Sequence, residues 1–395
     1  MIFSLEILQA NHGDCLLLYY GNNADPKVIV IDGGPSGIYN GFLKPRLLEL
    51  RDALSVDKPL PLSLVMVSHL DDDHVNGILA MTQDMLDRKE NNEVTLLSMK
   101  NIWCNTFDDI IGNLELPAIS GLPASAAAAS TAMLPQIAGA ESHIAAVIVS
   151  TGQGRKLRDN AALLSATVNN PFEALEPGKA NLVRGDGEGS VIEWDPGLEI
   201  IVVHPEAQRL KELQKKWDAD LKKAKQDGDD SIIFASITDP DKSPFNLSSI
   251  VCLVEFNNKR MLLTGDGRSD DIVEGLRAND LLDNNGRLHV DILKLPHHGS
   301  IRNMDADFFQ VVTADHYVIS ANGRDDNPDQ ELLDVFAANV TEGTLHLTNR
   351  DGKNNLEDKI DAFQAELANS GSNVKLNIRK PDGSIIIDLL DKFNF

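Results

Sequence analysis

The sequence has little cysteine and no long uninterrupted apolar segment. Only three cysteines, Cys15, Cys104 and Cys252, occur in 395 residues. They lie far apart, so we expect free thiols in a reducing compartment rather than a disulfide framework. The N-terminus has no basic segment followed by an apolar run, and no later stretch is long and apolar enough to span a membrane. These absences predict a cytoplasmic protein without membrane contact.

Basic residues are scarce relative to acidic ones. The chain has 36 lysines and arginines against 60 aspartates and glutamates, which gives a formal net charge of −24. Such a surface repels polyanions, so the composition gives no support for sequence-independent binding of nucleic acid. A phosphate-bearing substrate would need local help. Bound divalent cations supply such help because they reverse the charge of a site.

Hydrophobic patterning predicts an α/β protein with two similar halves. Short apolar runs open the first half, a helix is expected at residues 42–54, and a buried strand follows at 62–67. The second half repeats the pattern, with strand runs between residues 249 and 389 and a short helix at 270–276. Strand runs with flanking helices in both halves predict two sheets covered by helices, and we expect residues 1–395 to form a single domain.

Two segments interrupt this pattern. Residues 105–162 are rich in alanine, serine and glycine and show no strand period before 145–149, so we interpret them as a helical insertion. A second insertion is expected at about residues 206–235. It begins with a strongly charged helix at 206–225, whose basic side chains most simply face solvent and only secondarily form a patch for phosphate.

Three predicted strands end in residue types that bind metal ions. Residues 69–74 (HLDDDH) directly follow the apolar run 62–67. Carboxylates crowded at the end of a buried strand repel one another, and a bound cation would remove that repulsion. Taken alone, this block is equally typical of a solvated acidic turn before a helix. Two further strands end in residues 264–266 (TGD) and 297–300 (HHGS), and three such ends are much less expected by chance.

These motifs, in this order, resemble those of the metallo-β-lactamase superfamily, and within it those of the ComEC-type hydrolase domain of bacterial DNA uptake. That group also has a Gly-Asp near its start and an Asp-Gly-Gly at a strand end, matched here by residues 13–14 and 32–34. The similarity extends over most of the chain, apart from the two interrupting segments. It implies the superfamily's four-layer αββα sandwich and two divalent metal ions, zinc or manganese, as cofactors.

The resemblance also implies a role for each matched residue. His69 and Asp71 would hold the first metal ion, Asp73 and His74 would hold the second, and Asp266 would bridge the two.

For three histidines the resemblance leaves two possible roles each. Either His297 or His298 would complete the second site, and the other member of the pair would be available as an acid. His204, which follows the apolar run 198–203, occupies the place of the superfamily's additional histidine for the first metal. It is also compatible with an ordinary loop histidine before a proline. Because Asp71 makes the first site richer in oxygen ligands, the metal stays open between zinc and manganese.

The implied activity is hydrolysis by a metal-bridging hydroxide. Asp73 and Asp266 would orient this nucleophile as metal ligands, and the leaving-group acid would be the unligated histidine of the 297–298 pair or His316. Ser300 and Asn322 are candidates for hydrogen bonds to the substrate.

Three functions remain open at this point. The first is a phosphodiesterase or nuclease, with single-stranded nucleic acid as a possible partner, because two cations clamp a phosphodiester well. The second is hydrolysis of a small-molecule ester, thioester or lactam, which the acidic charge of the chain fits better. The third is a metal-stabilised partner protein without turnover.

Overall fold

The N-terminal apolar runs pair as an antiparallel meander, and a helix then carries the chain to a parallel strand. The computed structural model describes residues 1–54, 58–106, 109–110, 142–185, 190–215, 219 and 248–395. The elements of the first half, in chain order, are β1 (Ile2–Ile7), β2 (Leu16–Asn22), β3 (Asp25–Ile31), a π-helical turn (Tyr39–Leu43), α1 (Lys44–Leu54), β4 (Leu60–Met66), α2 (Asp72–Glu90), β5 (Leu97–Met99), β6 (Asn101–Trp103), α3 (Ser142–Leu163) and β7 (Thr167–Val168).

The second half contains a run of parallel strands separated by helices. Its elements, in chain order, are β8 (Val191–Asp195), β9 (Leu198–His204), β10 (Val251–Phe256), β11 (Lys259–Leu263), α4 (Ser269–Ala278), β12 (Leu288–Lys294), α5 (Ala306–Val311), β13 (Val312–Ile319), α6 (Gln330–Asn339), β14 (Glu342–Leu347), α7 (Leu356–Ser370), β15 (Asn373–Ile378) and β16 (Ile385–Asp388).

These strands form two mixed sheets of eight strands each within the described residues. The main path of the first sheet runs β16-β1-β2-β3-β4-β6-β7, with β5 also paired to β4, and the second runs from β15 to β8 in reverse order. The last strand thus returns to the first sheet, where β16 pairs with β1.

Buried side chains lie in three apolar clusters. One joins the strands of both sheets, one joins the first sheet to α1 and α2, and one joins the second sheet to α4, α5, α6 and α7. The architecture is the predicted four-layer αββα sandwich. Whether residues 1–395 fold as a single domain stays a prediction.

The two predicted insertions fall partly outside the described residues. In the first, residues 142–163 form α3, and the apolar run at 145–149 lies within this helix, because a short apolar run fits a helix as well as a strand. Much of the predicted 105–162 insertion, at 111–141, lies outside the described residues. So does most of the 206–235 insertion, of which residues 207–215 are helical. No helix in the described part of the chain has both the length and the apolar character needed to cross a bilayer.

Candidate metal centre

The carboxyl ends of parallel strands from both sheets meet at the candidate site. In the first sheet β3 runs parallel to β4, and in the second β11, β12 and β13 run parallel to one another. Parallel strands place their carboxyl ends at one edge, where side chains can converge. The two edges are joined directly, since the amide of Ile250 donates to the carbonyl oxygen of Ser68 at 2.8 Å.

Histidine and aspartate side chains converge there in two overlapping groups. Within each group the candidate ligand atoms all lie within 4.8 Å of one another. One group is fully buried and consists of Asp14, His74, Asp266 and His298; the other consists of His69, Asp73 and His74. Residues from four separate segments of the chain, around positions 14, 69–74, 266 and 298, are thus brought together.

Asp266 presents its two carboxylate oxygens to two different pairs of histidines. Its Oδ1 lies 3.3 Å from His74 Nε2 and 3.7 Å from His298 Nε2. Its Oδ2 lies 3.5 Å from His69 Nε2 and 3.6 Å from His297 Nε2. A carboxylate in this position can contact two cations at once, one through each oxygen.

Several polar atoms in this cluster are buried without a hydrogen-bond partner among the described residues. They are Oδ1 of Asp14, Nε2 of His69 and Oδ1 of Asp266. Buried polar atoms in native proteins are nearly always paired, because leaving one unpaired costs about 1–3 kcal/mol. Three such atoms in one cluster, all of types that bind metals, fit a site for a divalent cation.

Hydrogen bonds orient the imidazoles so that Nε2 faces the cluster. Nδ1 of His74 pairs with Asp32 Oδ2 at 2.9 Å, and Nδ1 of His298 donates to the carbonyl oxygen of Ser320 at 2.9 Å. Nδ1 of His297 pairs with Asn303 Oδ1 at 2.7 Å. A partner on Nδ1 fixes the ring and leaves Nε2 available, which is the usual arrangement of metal-binding histidines.

The turn after β12 has an uncommon backbone conformation. His297 and His298 are both left-handed, with φ of 47° and 55°. Residues other than glycine rarely adopt this conformation, and such outliers cluster at functional sites. The amide of His297 donates to the carbonyl oxygen of Gly265 at 3.1 Å, and this hydrogen bond fixes the turn.

The charges of the cluster are strongly coupled. Burial opposes ionisation of Asp266, but the four surrounding imidazoles outweigh it and hold the pKa of this carboxyl well below its usual range. Asp73 behaves likewise: burial acts against ionisation, yet His74 and His298 lower its pKa. Burial disfavours the charged form of His74 and His298, but Asp266 and other carboxylates raise the pKa of both rings. These shifts favour the charged form of the His74 and His298 rings beside ionised carboxylates when no cation is bound.

Three residues assigned to metal by sequence lie outside the two groups. Asp71 is at the edge, with Oδ2 at 3.7 Å from His69 Nε2, and His297 borders the groups through its Nε2, 3.6 Å from Asp266 Oδ2. His204 is buried at the end of β9 and belongs to neither group. Its role as a ligand of the first metal stays a prediction.

The predicted substrate-binding residues make contacts within the protein. Ser300 Oγ donates to Asp329 Oδ2 at 3.4 Å, and Asn322 Oδ1 accepts from the amide of Arg324 at 3.1 Å. His316 lies within β13, where its Nδ1 pairs with Nε2 of His346 at 3.0 Å. Burial lowers the pKa of both rings, to about 4 for His346.

Two buried charged residues were missed by sequence reasoning. Asp14 was noted only as part of a Gly-Asp motif, but it belongs to the fully buried group. Its Oδ2 lies 2.7 Å from the ammonium of Lys294, and both side chains are 1% exposed. A lysine at the end of an apolar strand, three residues before a histidine pair, was the only available signal for Lys294.

A scan against models of known protein families finds none that matches this chain, and a search of curated proteins finds no match either. The resemblance to the metallo-β-lactamase superfamily therefore rests on the sequence motifs, the two-sheet architecture and the buried His/Asp cluster.

Proposed function

We propose that this chain is a metal-dependent hydrolase with a two-metal centre. The observation that carries the proposal is the set of buried, unpartnered ligand atoms on Asp14, His69 and Asp266, surrounded by imidazoles whose Nε2 atoms face them. When bound, two divalent cations would lower the pKa of a water and polarise the oxygen of the group under attack. The chain's own residues would hold the cations and the substrate.

The two oxygens of Asp266 suggest how the ligands divide. His69, His297 and Asp71 would serve one ion together with Asp266 Oδ2, given the distances of 3.5–3.7 Å among these atoms. His74 and His298 would serve the other ion, because their Nε2 atoms face Oδ1 of Asp266.

Two more aspartates support the second ion. Oδ2 of Asp73 lies 3.3 Å from His298 Nε2, and the free Oδ1 of Asp14 lies 3.8 Å from His298 Nδ1. In this proposal both members of the histidine pair are ligands, so neither is the leaving-group acid. This assignment places His297 in the first site, and the role of His204 there stays a prediction.

A phosphodiester is the substrate class we favour, because it is what the ComEC-type resemblance implies and because paired cations stabilise both oxygens of an in-line displacement. A small neutral ester or lactam is the second candidate, favoured by the net charge of −24. A partner protein that binds metal without turnover is the third.

Metal analysis combined with a substrate panel tests the proposal. Purified protein loaded with manganese or zinc should bind about two ions per chain and hydrolyse bis(p-nitrophenyl) phosphate or single-stranded DNA. Asp73→Ala should lower the rate by at least about a hundredfold, because it removes a ligand. Asp315→Ala is the matched control, since Asp315 is an exposed carboxylate on β13 and should keep the wild-type rate.

The possible results separate the three functions. Turnover of esters or lactams alone would favour the second function, and metal binding without any turnover would favour the third. Wild-type activity in Asp73→Ala, or a chain that stays metal-free in excess metal, would contradict the proposed centre.

A further inference from the structure

Asp73 is the most exposed member of the two groups of candidate ligands. Its side chain is 22% exposed, whereas those of His69, His74, Asp266 and His298 are nearly inaccessible. Asp71 and His297, which the proposed function assigns to the other ion, are also accessible, at 43% and 30%. A substrate can therefore reach the second ion on the Asp73 side. The neighbouring half-buried residue is His12. It lies two residues before Asp14, whose amide donates to the carbonyl oxygen of Asp73 at 3.2 Å.

An arginine is in contact with His12. Nη1 of Arg324 lies 2.7 Å from Nε2 of His12. Because a guanidinium has only donors, the ring nitrogen of His12 must be the acceptor, and the arginine keeps its full charge. This bond uses only one of the five N–H donors of the guanidinium.

The backbone of Arg324 is fixed by its own loop. Its amide donates to Oδ1 of Asn322 at 3.1 Å, and the amide of Gly323 donates to the carbonyl oxygen of Asn327 at 2.9 Å. The same loop begins at Ser320, whose carbonyl oxygen accepts from His298 and whose hydroxyl donates to the carbonyl oxygen of Gly13 at 2.6 Å. The loops that carry Arg324 and His12 are thus tied to each other and to a candidate metal ligand.

Arg324 places a positive charge in acidic surroundings. The chain is strongly acidic, and the candidate centre contains several carboxylates, so an anionic substrate meets repulsion wherever no cation compensates. Among the described residues, the carboxylate within 4 Å of the Arg324 guanidinium is that of Asp325, at 3.6 Å and 76% exposed. An exposed pair of this kind is weak, so a substrate anion can compete for the arginine.

We propose that Arg324, held in place by His12, binds an anionic oxygen of the substrate and so makes the site selective for phosphodiesters over neutral esters. This inference rests on the proposed function and names its substrate class. Asn322, which sequence reasoning placed against the substrate, acts instead as a positioning residue for Arg324. An arginine suits this task because its planar fork matches the geometry of phosphate oxygens.

Paired substrates test the proposal in the metal-loaded protein. Arg324→Gln should lower kcat/KM for bis(p-nitrophenyl) phosphate about tenfold, mainly through KM, because a charge-assisted hydrogen bond to the ground state is lost. Turnover of neutral p-nitrophenyl acetate, where the enzyme shows it, should change less than about twofold. Arg324→Lys should recover part of the loss.

A matched variant separates this contact from the general loss of charge. Arg350 is also partly exposed and paired with exposed carboxylates, so Arg350→Gln makes the same change in net charge elsewhere on the surface. It should leave kcat/KM for the phosphodiester unchanged. An equal loss in both variants, or none in Arg324→Gln, would overturn the proposal.

Binding of inorganic phosphate provides a test that does not need turnover. Titration calorimetry of the metal-loaded protein should show about tenfold weaker phosphate binding by Arg324→Gln than by wild type or Arg350→Gln. If no substrate is hydrolysed, the proposed function fails while this measurement still decides the role of Arg324. Equal phosphate affinity in all three proteins, or no phosphate binding by wild type, would refute that role.

Discussion

Individual ligand residues depend on neighbours that do not themselves face the cluster. Asp32 is the clearest case: besides its contact with His74, its Oδ1 accepts from the amide of Ser68 and its Oδ2 accepts from the Ser68 hydroxyl, both at 2.7 Å. Its backbone is left-handed, with φ of 56°. One carboxylate therefore fixes both the ring of His74 and the start of the loop that contains His69.

Replacing Asp32 should weaken metal binding without unfolding the protein. Asparagine has the same shape and tolerates a positive φ, so Asp32→Asn keeps the fold but removes the charge that holds the His74 ring. We expect metal affinity to fall about 10–100-fold, which is typical when a residue that hydrogen-bonds to a metal ligand is replaced. Calorimetric titration with zinc or manganese measures the change.

Asp84→Asn is the control for this substitution. Asp84 lies on α2 and accepts hydrogen bonds from Tyr39 and Lys44, away from the cluster. Asp84→Asn should therefore leave metal affinity unchanged. Wild-type affinity in Asp32→Asn would contradict the orienting role of Asp32.

Among the elements, the start of α2 is placed by contacts that only glycine permits. A Cβ on Gly13 would lie 1.9 Å from the carbonyl oxygen of Asp73, and one on Gly77 would lie 1.9 Å from that of Gly33. The amide of Gly33 also donates to the carbonyl oxygen of His74 at 2.7 Å. These close approaches hold the first turn of α2, and with it Asp73 and His74, against the loops after β1 and β3.

Gly77→Ala should therefore destabilise the protein, although alanine is the better helix former. Its methyl group has no space beside Gly33, and overpacking of this kind costs about 1–3 kcal/mol, more than the gain of about 1 kcal/mol in helix propensity. We expect a lower free energy of unfolding in urea and weaker metal binding, because His74 lies on the displaced turn.

A second helical glycine is the comparison. Gly41 lies in the π-helical turn before α1, and a Cβ there would meet no atom within 4 Å. Gly41→Ala should be neutral or stabilising by up to about 1 kcal/mol. Equal stability of the two variants would show that the contact between α2 and Gly33 can relax.

For the whole molecule, the pKa shifts predict how pH and metal act together. The folded-state pKa values of His74 and His298 are raised above the ordinary value of about 6.5, so their stabilising effect is complete below that pH and is lost as pH rises through the raised values. The lowered pKa values of Asp73 and Asp266 act at the other end: their contribution is present above about pH 4 and is lost as pH falls through the lowered values.

Bound metal should remove the loss of stability at alkaline pH, because a divalent cation replaces the imidazole protons, which are released on binding. The difference in Tm between metal-loaded and chelator-treated protein should therefore increase as pH is raised from about 6 to 9. Scanning calorimetry at several pH values measures it. A difference that is constant or shrinks over this range would show that the imidazoles are not protonated in the metal-free chain.

Much of the architecture follows from the sequence, because the pattern of a strand is local. Alternating and continuous apolar runs in the sequence predict β1 to β4 and most strands of the second sheet. Because these strands have apolar faces that must be buried, they also predict two sheets covered by helices. The apolar run at residues 145–149 lies within α3; a run of five residues has no period long enough to distinguish helix from strand.

By itself, the sequence determined which residue types stand at the strand ends: His69 to His74, Asp266 and the pair at 297–298 are evident before any folding is considered. Only the tertiary structure decided that Asp266 faces two pairs of histidines and that Asp14 joins the cluster beside Lys294. It also placed Arg324 beside His12. Apart from those between Asp266 and the 297–298 pair, these contacts join residues roughly 190 to more than 300 positions apart. They depend on the packing of two sheets and on ring orientations, which no local pattern encodes.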